Sequence, residues 1–176
     1  MGSGVTISGT GGGLRALFTF PNPVNEVSAR LVAGGVLVMC IVTIALGLEW
    51  ATVVIAYGFV ARVFTGPTLS PLGQVVTRLV TPRLGIPERP VAGPPKRFAQ
   101  GVGVAFSMTA LVLTGLGYWT AAEVVLALLA SAAFLESVFG LCLGCKVFAV
   151  LMRVGVVPED VCERCNDIWA APRAAA

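Results

Sequence analysis

The sequence predicts an all-α membrane protein with four transmembrane helices, arranged as two hairpins, and a cytoplasmic amphipathic helix. Of its 176 residues, 56% are apolar and only 12% are charged, and the mean hydropathy is +0.89. Soluble domains are usually about 25% charged, so this composition suits lipid as the solvent. Two long uncharged stretches and the distribution of the basic residues indicate the same fold class.

The uncharged stretches locate the predicted spans. Eighteen uncharged residues lie between Arg30 and Glu49, and twenty-five lie between Arg97 and Glu123. A helix rises about 1.5 Å per residue, so about 20 residues cross a hydrocarbon core of about 30 Å. We expect one membrane domain over 18–168, between tails at 1–17 and 169–176, with spans at about 29–48, 50–65, 98–118 and 121–145.

Two short connections separate the helices of each hairpin. Gly47–Trp50 and Gly117–Thr120 both contain tryptophan, which favours the membrane–water interface. The second span ends near Arg62, whose long side chain we expect to extend to the interface. The fourth helix is expected to continue past Lys146 to about Val154.

The basic residues predict an orientation. Cytoplasmic loops of membrane proteins are enriched in lysine and arginine, and neither short connection contains either residue. We therefore expect a multi-pass protein of the cytoplasmic membrane with both termini and the central connection in the cytoplasm. The twelve basic residues are Arg15, Arg30, Arg62, Arg78, Arg83, Arg89, Lys96, Arg97, Lys146, Arg153, Arg164 and Arg173.

The central connection, Thr65–Arg97, is predicted to contain an amphipathic helix. Apolar residues recur at helical spacing over Leu69–Leu84, and Ser70-Pro71 is typical of an N-cap followed by the first helical residue. Pro82 is expected to end or kink this helix. The helix either lies on the cytoplasmic interface or packs on the floor of the bundle. The proline-rich segment Ile86–Pro95 that follows is expected to be extended and stiff.

Composition also excludes several kinds of function. The chain has no histidine, which removes the usual general base, the usual activation of a cysteine nucleophile and any imidazole metal ligand. Its net charge of +3 is small, and no basic stripe with interleaved aromatic residues indicates nucleic acid as a partner. Membrane lipid is the partner that the composition predicts.

The chemistry of the sequence lies in two Cys-x-x-Cys pairs near the C-terminus. Cys142 and Cys145 form the first pair, Cys162 and Cys165 form the second, and sixteen residues separate them. On a continuous helix Cys142 and Cys145 share one face. A turn at Gly155–Pro158 allows the chain to fold back and bring the second pair to the first.

Three hypotheses account for these cysteines. In the first, the pairs exchange disulfides, and the nearby cations Lys146, Arg153 and Arg164 lower the thiol pKa values. In the second, the spacing C-x2-C-x16-C-x2-C makes all four cysteines ligands of a zinc ion in a non-enzymatic structural or assembly subunit. In the third, the cysteines are small hydrophobic residues, which is the interpretation we adopt for Cys40. A static disulfide is disfavoured in a reducing compartment.

Glu136 is a further candidate, because an ionisable residue inside a membrane helix is expensive to bury and commonly functional. It can accept a proton from the thiols, or it can serve a small transporter or channel. Glu136 lies six residues from Cys142, so on one helix the two side chains point in different directions. The structural alternative is a glutamate that faces the bundle, toward Ser107, Thr109 or Thr114.

Four segments carry a resemblance to a known family: Phe20–Glu26, Thr65–Pro71, Gly93–Gln100 and Phe139–Lys146. With them, residues 18–168 resemble the bacterial membrane family called domain of unknown function 4395. The resemblance implies a small multispan membrane protein with cysteines facing the cytoplasm. It also implies thioredoxin-like or rhodanese-like partners, which favours a thiol–disulfide redox or sulfur-relay function. No catalytic role of any residue follows from this family.

Overall fold

The computed structural model describes residues 24–87 and 89–157. The predicted tails and the second cysteine pair, Cys162 and Cys165, lie outside the described residues, so what the sequence predicts of them stays a prediction. Within the described ranges the chain is mainly helical, as the composition and the uncharged stretches predict.

The described elements follow one another with short connections. Four helices have 15 to 23 residues, and the other elements are shorter. In chain order the elements are β1 (Val24–Asn25), α1 (Glu26–Ala45), α2 (Ala51–Thr65), α3 (Pro71–Val75), a π-helical turn (Val76–Val80), α4 (Thr81–Leu84), β2 (Pro90–Val91), α5 (Gly93–Gly115), α6 (Trp119–Phe139) and α7 (Leu143–Arg153).

A two-stranded ladder joins the start of α1 to the start of α5. β1 and β2 are antiparallel, with Val24 opposite Val91 and Asn25 opposite Pro90. The Asn25 side chain accepts a hydrogen bond from the Val27 N–H at 3.0 Å, which satisfies one of the free donors of the first helical turn. The ladder therefore sets both where α1 begins and which helix lies beside its first turn.

The two predicted tight connections are confirmed as short turns. Each contains a glycine in the left-handed conformation, Gly47 at φ +60° and Gly117 at φ +80°. Because residues with a Cβ rarely adopt this conformation, these glycines allow the chain to reverse at once. Trp50 and Tyr118 are 67% and 63% exposed beside the turns, which fits aromatic rings at a membrane–water interface.

The predicted amphipathic helix begins as expected and is distorted by its proline. The Ser70 hydroxyl caps α3 by accepting from the Gly73 N–H at 3.2 Å, and Pro71 is the first helical residue. The π-helical turn lies directly before α4, which contains Pro82. Proline lacks an N–H and crowds the carbonyl four residues earlier, so the wider turn accommodates the ring.

One side of this helical segment packs on the bundle and the other is exposed. Leu72 packs against the main core, and Val76 is only 5% exposed. Packing against the bundle, one of the two predicted alternatives, is therefore observed. The outward side combines apolar residues with the exposed arginines Arg78 and Arg83, a surface that suits a lipid interface. Its large exposed apolar residues are Leu69, Val75, Leu79 and Leu84.

The prediction of an extended segment over Ile86–Pro95 is wrong at its end. α5 already begins at Gly93, so Gly93, Pro94 and Pro95 are helical and the helix starts before the predicted boundary at about 98. Proline is compatible with the first helical turn, where its missing N–H has no intrahelical acceptor. The early start brings Lys96 into the helix, close to the packed core.

The main contacts of the bundle join its first half to its second. α1 packs chiefly along α6, α2 packs chiefly along α5, and α5 also contacts α6 and α7. α1 and α2 contact each other much less. Cys40 is fully buried in the core, as expected for a cysteine that acts as a small hydrophobic residue. The core residues are Val36, Cys40, Ile55, Phe59, Ala110, Leu126, Leu129, Ala130 and Ala133.

The prediction that the fourth helix runs unbroken from 121 through 145 to about Val154 is wrong. α6 ends at Phe139, Gly140 adopts φ +68°, and α7 begins as a separate helix at Leu143. The Gly140 N–H donates to the Glu136 carbonyl and the Leu141 N–H donates to the Leu135 carbonyl, so the last turn is closed by a left-handed glycine. Hydropathy does not detect this break, since apolar residues continue on both sides.

Three helices of the described ranges are long and apolar enough to cross a membrane: α1, α5 and α6. α2 is apolar but has only 15 residues. The helical fold and three candidate spans agree with a membrane protein, and the second predicted span, at about 50–65, falls on this shorter helix.

The contact between α2 and α5 generates a test with a matched control. A Cβ atom at Gly103 would lie 2.1 Å from the Phe59 ring, whereas a Cβ at Gly101, on the same helix, has nothing within 4 Å. We expect Gly103→Ala to lower the free energy of unfolding by about 1–3 kcal/mol through overpacking. Gly101→Ala should leave stability unchanged or raise it by up to about 1 kcal/mol.

Thermal unfolding of both variants in the same detergent measures the difference. Equal unfolding temperatures for Gly103→Ala and Gly101→Ala would contradict the observed approach of Phe59 to α5.

Candidate functional site

The site is built around the elbow between α6 and α7. Arg30 of α1 donates hydrogen bonds to the carbonyls of Ser137 and Val138 at 2.7 to 3.2 Å. These carbonyls belong to the last turn of α6, where a cation is favoured by the helix dipole and by carbonyls without intrahelical donors. Arg30 thus fixes the end of α6, and the chain turns at Gly140 into the first cysteine pair.

The first cysteine pair lies at the start of α7. Cys142 is the N-cap residue, with extended backbone, and Cys145 lies within the first turn. The prediction that both cysteines share a face of the fourth span is therefore wrong, although the two side chains do meet. Their thiols are free, and each acts on the pKa of the other. Cys142 is 7% exposed and Cys145 is intermediate in exposure.

Gly144, between the two cysteines, allows α7 to approach α5 closely. A Cβ atom at Gly144 would lie 2.5 Å from the Ala99 Cα and 2.6 Å from the Ala99 Cβ. Because a backbone atom cannot move aside, this position requires a residue without a Cβ. The packing of Phe98 against Phe148, with ring centroids 5.6 Å apart, holds the next turn of α7 on the same helix.

An ion pair lies close enough to the thiols for its charges to act on them. The Lys96 Nζ of α5 and the Glu136 Oε1 of α6 are 2.5 Å apart, and their side chains are 10% and 18% exposed. Glu136 therefore has a charged partner forty residues away in sequence. Its predicted alternatives, the hydroxyls of Ser107, Thr109 and Thr114, donate instead to carbonyls of their own helix.

The angular separation of Glu136 and Cys142 that a continuous helix predicts is not observed. Because α6 ends at Gly140 and the chain turns, both side chains line the same cavity, and the charge of Glu136 acts on Cys142. The helix break removes the angular separation that a continuous helix would impose between residues 136 and 142.

The surroundings make the two thiols unequal. The hydrogen bond from Cys145 lowers the pKa of Cys142 and raises that of Cys145, and burial raises both. The Glu136 carboxylate raises the pKa of either thiol, whereas the Lys96 ammonium lowers it. On balance the pKa of Cys142 lies below its ordinary value and that of Cys145 above it, so Cys142 is the thiol that ionises first. Lys146, expected from sequence to perform this role, is exposed.

Arg62 is a site residue whose role the sequence does not reveal. The expectation that it extends to the interface is wrong: it is 5% exposed and points into the bundle. Its guanidinium donates to the Gln100 side chain at 3.0 Å and to the Ser70 hydroxyl at 3.2 Å, and it lies 4.5 Å from the centre of the Phe59 ring. These contacts with Gln100, Ser70 and Phe59 offset the free-energy cost of burying the guanidinium charge.

These polar groups border a cavity of about 350 Å³ between the long helices and the elbow. Arg62, Gln100, Glu136 and Cys142 line it, together with apolar side chains. Cys142 is therefore the point at which the thiol pair meets the interior of the bundle.

Within the described residues, no group of three or more cysteine or acidic side chains is placed so that it could hold a metal ion. The predicted zinc site also needs Cys162 and Cys165, which lie outside that part of the chain. The described half of the predicted site is a pair of thiols with an adjacent ion pair.

The fold and the site together define a small helical bundle of membrane type with a Cys-x-x-Cys pair at the start of a short helix. The family described as "Domain of unknown function (DUF4395)" matches residues 24–153. The chain belongs to this family, which confirms the resemblance found in the sequence. Comparison with curated proteins and with solved structures gives no match.

The electrostatics of Cys142 predict a pH profile for its alkylation. A lowered pKa places the thiolate at lower pH, so Cys142 should react with iodoacetamide faster than Cys145 at neutral pH. Lys96→Gln removes the attractive charge and should shift the Cys142 profile upward by about one pH unit. Glu136→Gln removes the repulsive charge and should shift it downward by a similar amount.

Peptide mass spectrometry after timed alkylation between pH 5 and 9 separates the two thiols. Lys146→Gln is the control, because this exposed lysine lies next to Cys145 in sequence and should leave the profile unchanged. Shifts of the same sign in Lys96→Gln and Glu136→Gln would contradict the assignment.

Proposed function

We propose that this protein is a membrane-integrated thiol–disulfide redox or sulfur-relay protein whose reactive pair is Cys142 and Cys145. The observation that carries the proposal is the pairing of two free thiols at the N-terminus of α7 beside the Lys96–Glu136 ion pair. Helix N-termini and adjacent cations favour thiolates, and a thiolate is the form that attacks disulfides.

The difference between the two thiol pKa values supports different roles for them, with Cys142 as the attacking thiol and Cys145 as the resolving thiol. The Cys142 thiolate attacks one sulfur of a partner disulfide, that S–S bond breaks, and the partner's leaving thiolate takes up a proton. Cys145 then loses its proton, and its sulfur attacks the Cys142 sulfur of the mixed disulfide. The partner leaves as a dithiol and Cys142–Cys145 becomes the disulfide, so two electrons have passed to the partner. The reverse sequence oxidises a partner dithiol.

The ion pair supports the proton movements of this exchange. The Glu136 carboxylate is held by Lys96 and its charge acts on both thiols, so a proton acceptor is available near the pair. A low-dielectric surrounding strengthens each of these interactions. We assign Glu136 the role of local proton acceptor and Lys96 that of the charge that holds it in place and favours the thiolate.

We further propose that α2 crosses the membrane in addition to α1, α5 and α6, which gives four spans. The thiols then lie at the cytoplasmic face of the inner membrane. The distribution of charge in the sequence supports this orientation, since neither of the two tight turns contains a lysine or an arginine. At that face the partner is a thioredoxin-like or rhodanese-like protein, and Cys162 and Cys165 form the second pair that meets it.

The proposal predicts which cysteine captures a partner. If Cys142 is the attacking thiol, Cys145→Ser should accumulate a mixed disulfide through Cys142, because the resolving sulfur is missing. Cys142→Ser should accumulate several-fold less, about threefold or more, since burial still raises the pKa of Cys145 when the Cys142 thiol is absent. Non-reducing electrophoresis of acid-quenched membranes followed by mass spectrometry identifies the captured protein.

Cys40→Ser is the matched control, because this buried core thiol is not part of the proposed site. Equal capture by Cys142→Ser and Cys145→Ser would refute the attacking and resolving roles, and captured proteins from outside the cytoplasm would refute the orientation. Permanently reduced thiols in a chain that binds one zinc ion would favour the structural zinc site instead.

A further inference from the structure

The cavity beside Cys142 has the size and lining of a small-molecule site. Its volume of about 350 Å³ falls in the range of about 300–1,000 Å³ usual for ligand pockets. Most of its wall is apolar and comes from all four long helices. Among its apolar lining residues are Val32 and Val36 of α1, Phe59 of α2, Phe106 of α5 and Leu129 of α6.

Apart from Ser131, the polar groups that line the cavity lie toward the end that contains the elbow. Arg62 lies near the end of α2, Gln100 near the start of α5 and Glu136 near the end of α6, and Cys142 follows that helix. The Arg62–Gln100 hydrogen bond at 3.0 Å shows that two of these groups are in contact. A ligand in this cavity would have hydrogen-bonding groups and a reactive thiol on one side and hydrocarbon elsewhere.

The cavity also reaches the outer surface of the bundle. Val102 of α5 and Leu128 of α6 line it and are nevertheless 36% and 56% exposed. Both belong to candidate membrane spans, so this part of the cavity wall adjoins the region that lipid tails would occupy. We therefore place the opening for a ligand dissolved in the bilayer between these two residues.

We infer that this cavity binds the head group of a lipid-soluble quinone and that the quinone accepts the electrons of the Cys142–Cys145 dithiol. The inference rests on the proposed thiol redox function and names one of its electron acceptors. A quinone head group is neutral and mostly apolar, with two carbonyl oxygens that accept hydrogen bonds from groups such as the Arg62 guanidinium and the Gln100 amide.

The transfer balances in atoms and electrons. The dithiol loses two electrons and two protons and becomes the Cys142–Cys145 disulfide, and the quinone gains both pairs and becomes the quinol. The Cys142 sulfur first bonds to the quinone ring, and the Cys145 sulfur then displaces the reduced ring from Cys142. Glu136 lies at the site to relay a proton from a thiol toward a quinone oxygen.

The chemistry of the lining distinguishes a quinone from other ligands. The Arg62 guanidinium and the Glu136 carboxylate carry opposite charges in this lining, so a neutral ligand is the better match, and a purely apolar ligand would leave the polar groups at this end without a role. A water-soluble disulfide has no need of an apolar chamber that opens between two membrane spans. A neutral two-electron acceptor with a lipid tail fits all three features.

Photolabelling tests occupancy of the cavity independently of redox activity. The full-length protein in lipid nanodiscs is illuminated with an azido-benzoquinone that bears a short alkyl tail, and labelled residues are mapped by mass spectrometry. We expect labels on the lining of α5 and α6, and at least a tenfold loss in Ala132→Phe, which fills the cavity. Ala127→Phe is the matched control, since Ala127 is exposed on the same helix and does not line the cavity.

A second pair of variants acts at the outer opening and changes only exposed positions. Leu128→Trp narrows the opening, whereas Val124→Trp lies one turn away on the same helix, is 58% exposed in the native chain and does not line the cavity. We expect Leu128→Trp to lower labelling at least threefold and Val124→Trp to leave it unchanged. Equal labelling within both pairs of variants overturns the inference.

Electron transfer separates failure of this inference from failure of the proposed function. The reduced protein is mixed with the same quinone without light, or with glutathione disulfide, and the Cys142–Cys145 disulfide is quantified. Oxidation by both reagents, with only the quinone reaction slowed at least tenfold by Ala132→Phe, supports the inference. Oxidation by glutathione disulfide alone overturns the inference and leaves the proposed function intact. Oxidation by neither overturns both.

Discussion

The ion pair between Lys96 and Glu136 is the interaction on which the site depends. Either charge alone, inside a bundle made of apolar helices, would be costly to bury, so each residue requires the other. Their contact at 2.5 Å joins α5 to α6 next to the place where α6 ends. It also provides charges that act on the pKa values of the two thiols. The same ion pair therefore contributes to helix packing and to the electrostatics of the cysteine pair.

The backbone beside the ion pair is arranged so that the thiols can use it. Arg30 caps the last carbonyls of α6, Gly140 turns the chain, and Gly144 lets α7 come within contact distance of Ala99. Without the turn, Cys142 would point away from Glu136 on a continuous helix. Two glycines and one arginine thus convert a run of apolar sequence into an elbow that presents a cysteine pair to a buried charge pair.

Arg62 plays a corresponding part on the opposite wall of the cavity. It bonds Gln100 of α5 and Ser70, the N-cap of α3, and therefore connects the central connection to the bundle interior. The cavity between Arg62 and Cys142 has polar groups at one end and an apolar lining that extends to the outer surface. This asymmetry is the observation from which the proposal of a membrane-soluble reactant starts.

Much of the fold can be predicted from the sequence because its signals are local. Uncharged stretches, the glycine turns at Gly47 and Gly117, and the Ser70-Pro71 start of α3 each depend on a few neighbouring residues. Cys142 and Cys145 are recognisable from their spacing alone.

The remainder of the site depends on contacts between residues far apart in the chain. Lys96 and Glu136 are forty residues apart, and Arg62 and Gln100 are thirty-eight apart, so no local pattern indicates either contact. The break at Gly140 is local, but its glycine lies within a continuous apolar run and resembles the many glycines that permit helix packing. The sequence signal that could have found it is the glycine immediately before the cysteine pair, at which a helix ends and a new one can begin.

A redox titration of the first cysteine pair in the full-length protein tests the central claim most directly. The protein in lipid nanodiscs is equilibrated with dithiothreitol buffers of stepped potential, and the Cys142–Cys145 disulfide is measured by mass spectrometry. We predict one two-electron transition, about 30 mV per tenfold change in ratio, at a lower potential in Lys96→Gln because the thiolate loses its stabilising charge. Cysteines that remain reduced at every potential, or a midpoint that Lys96→Gln does not change, would contradict the account.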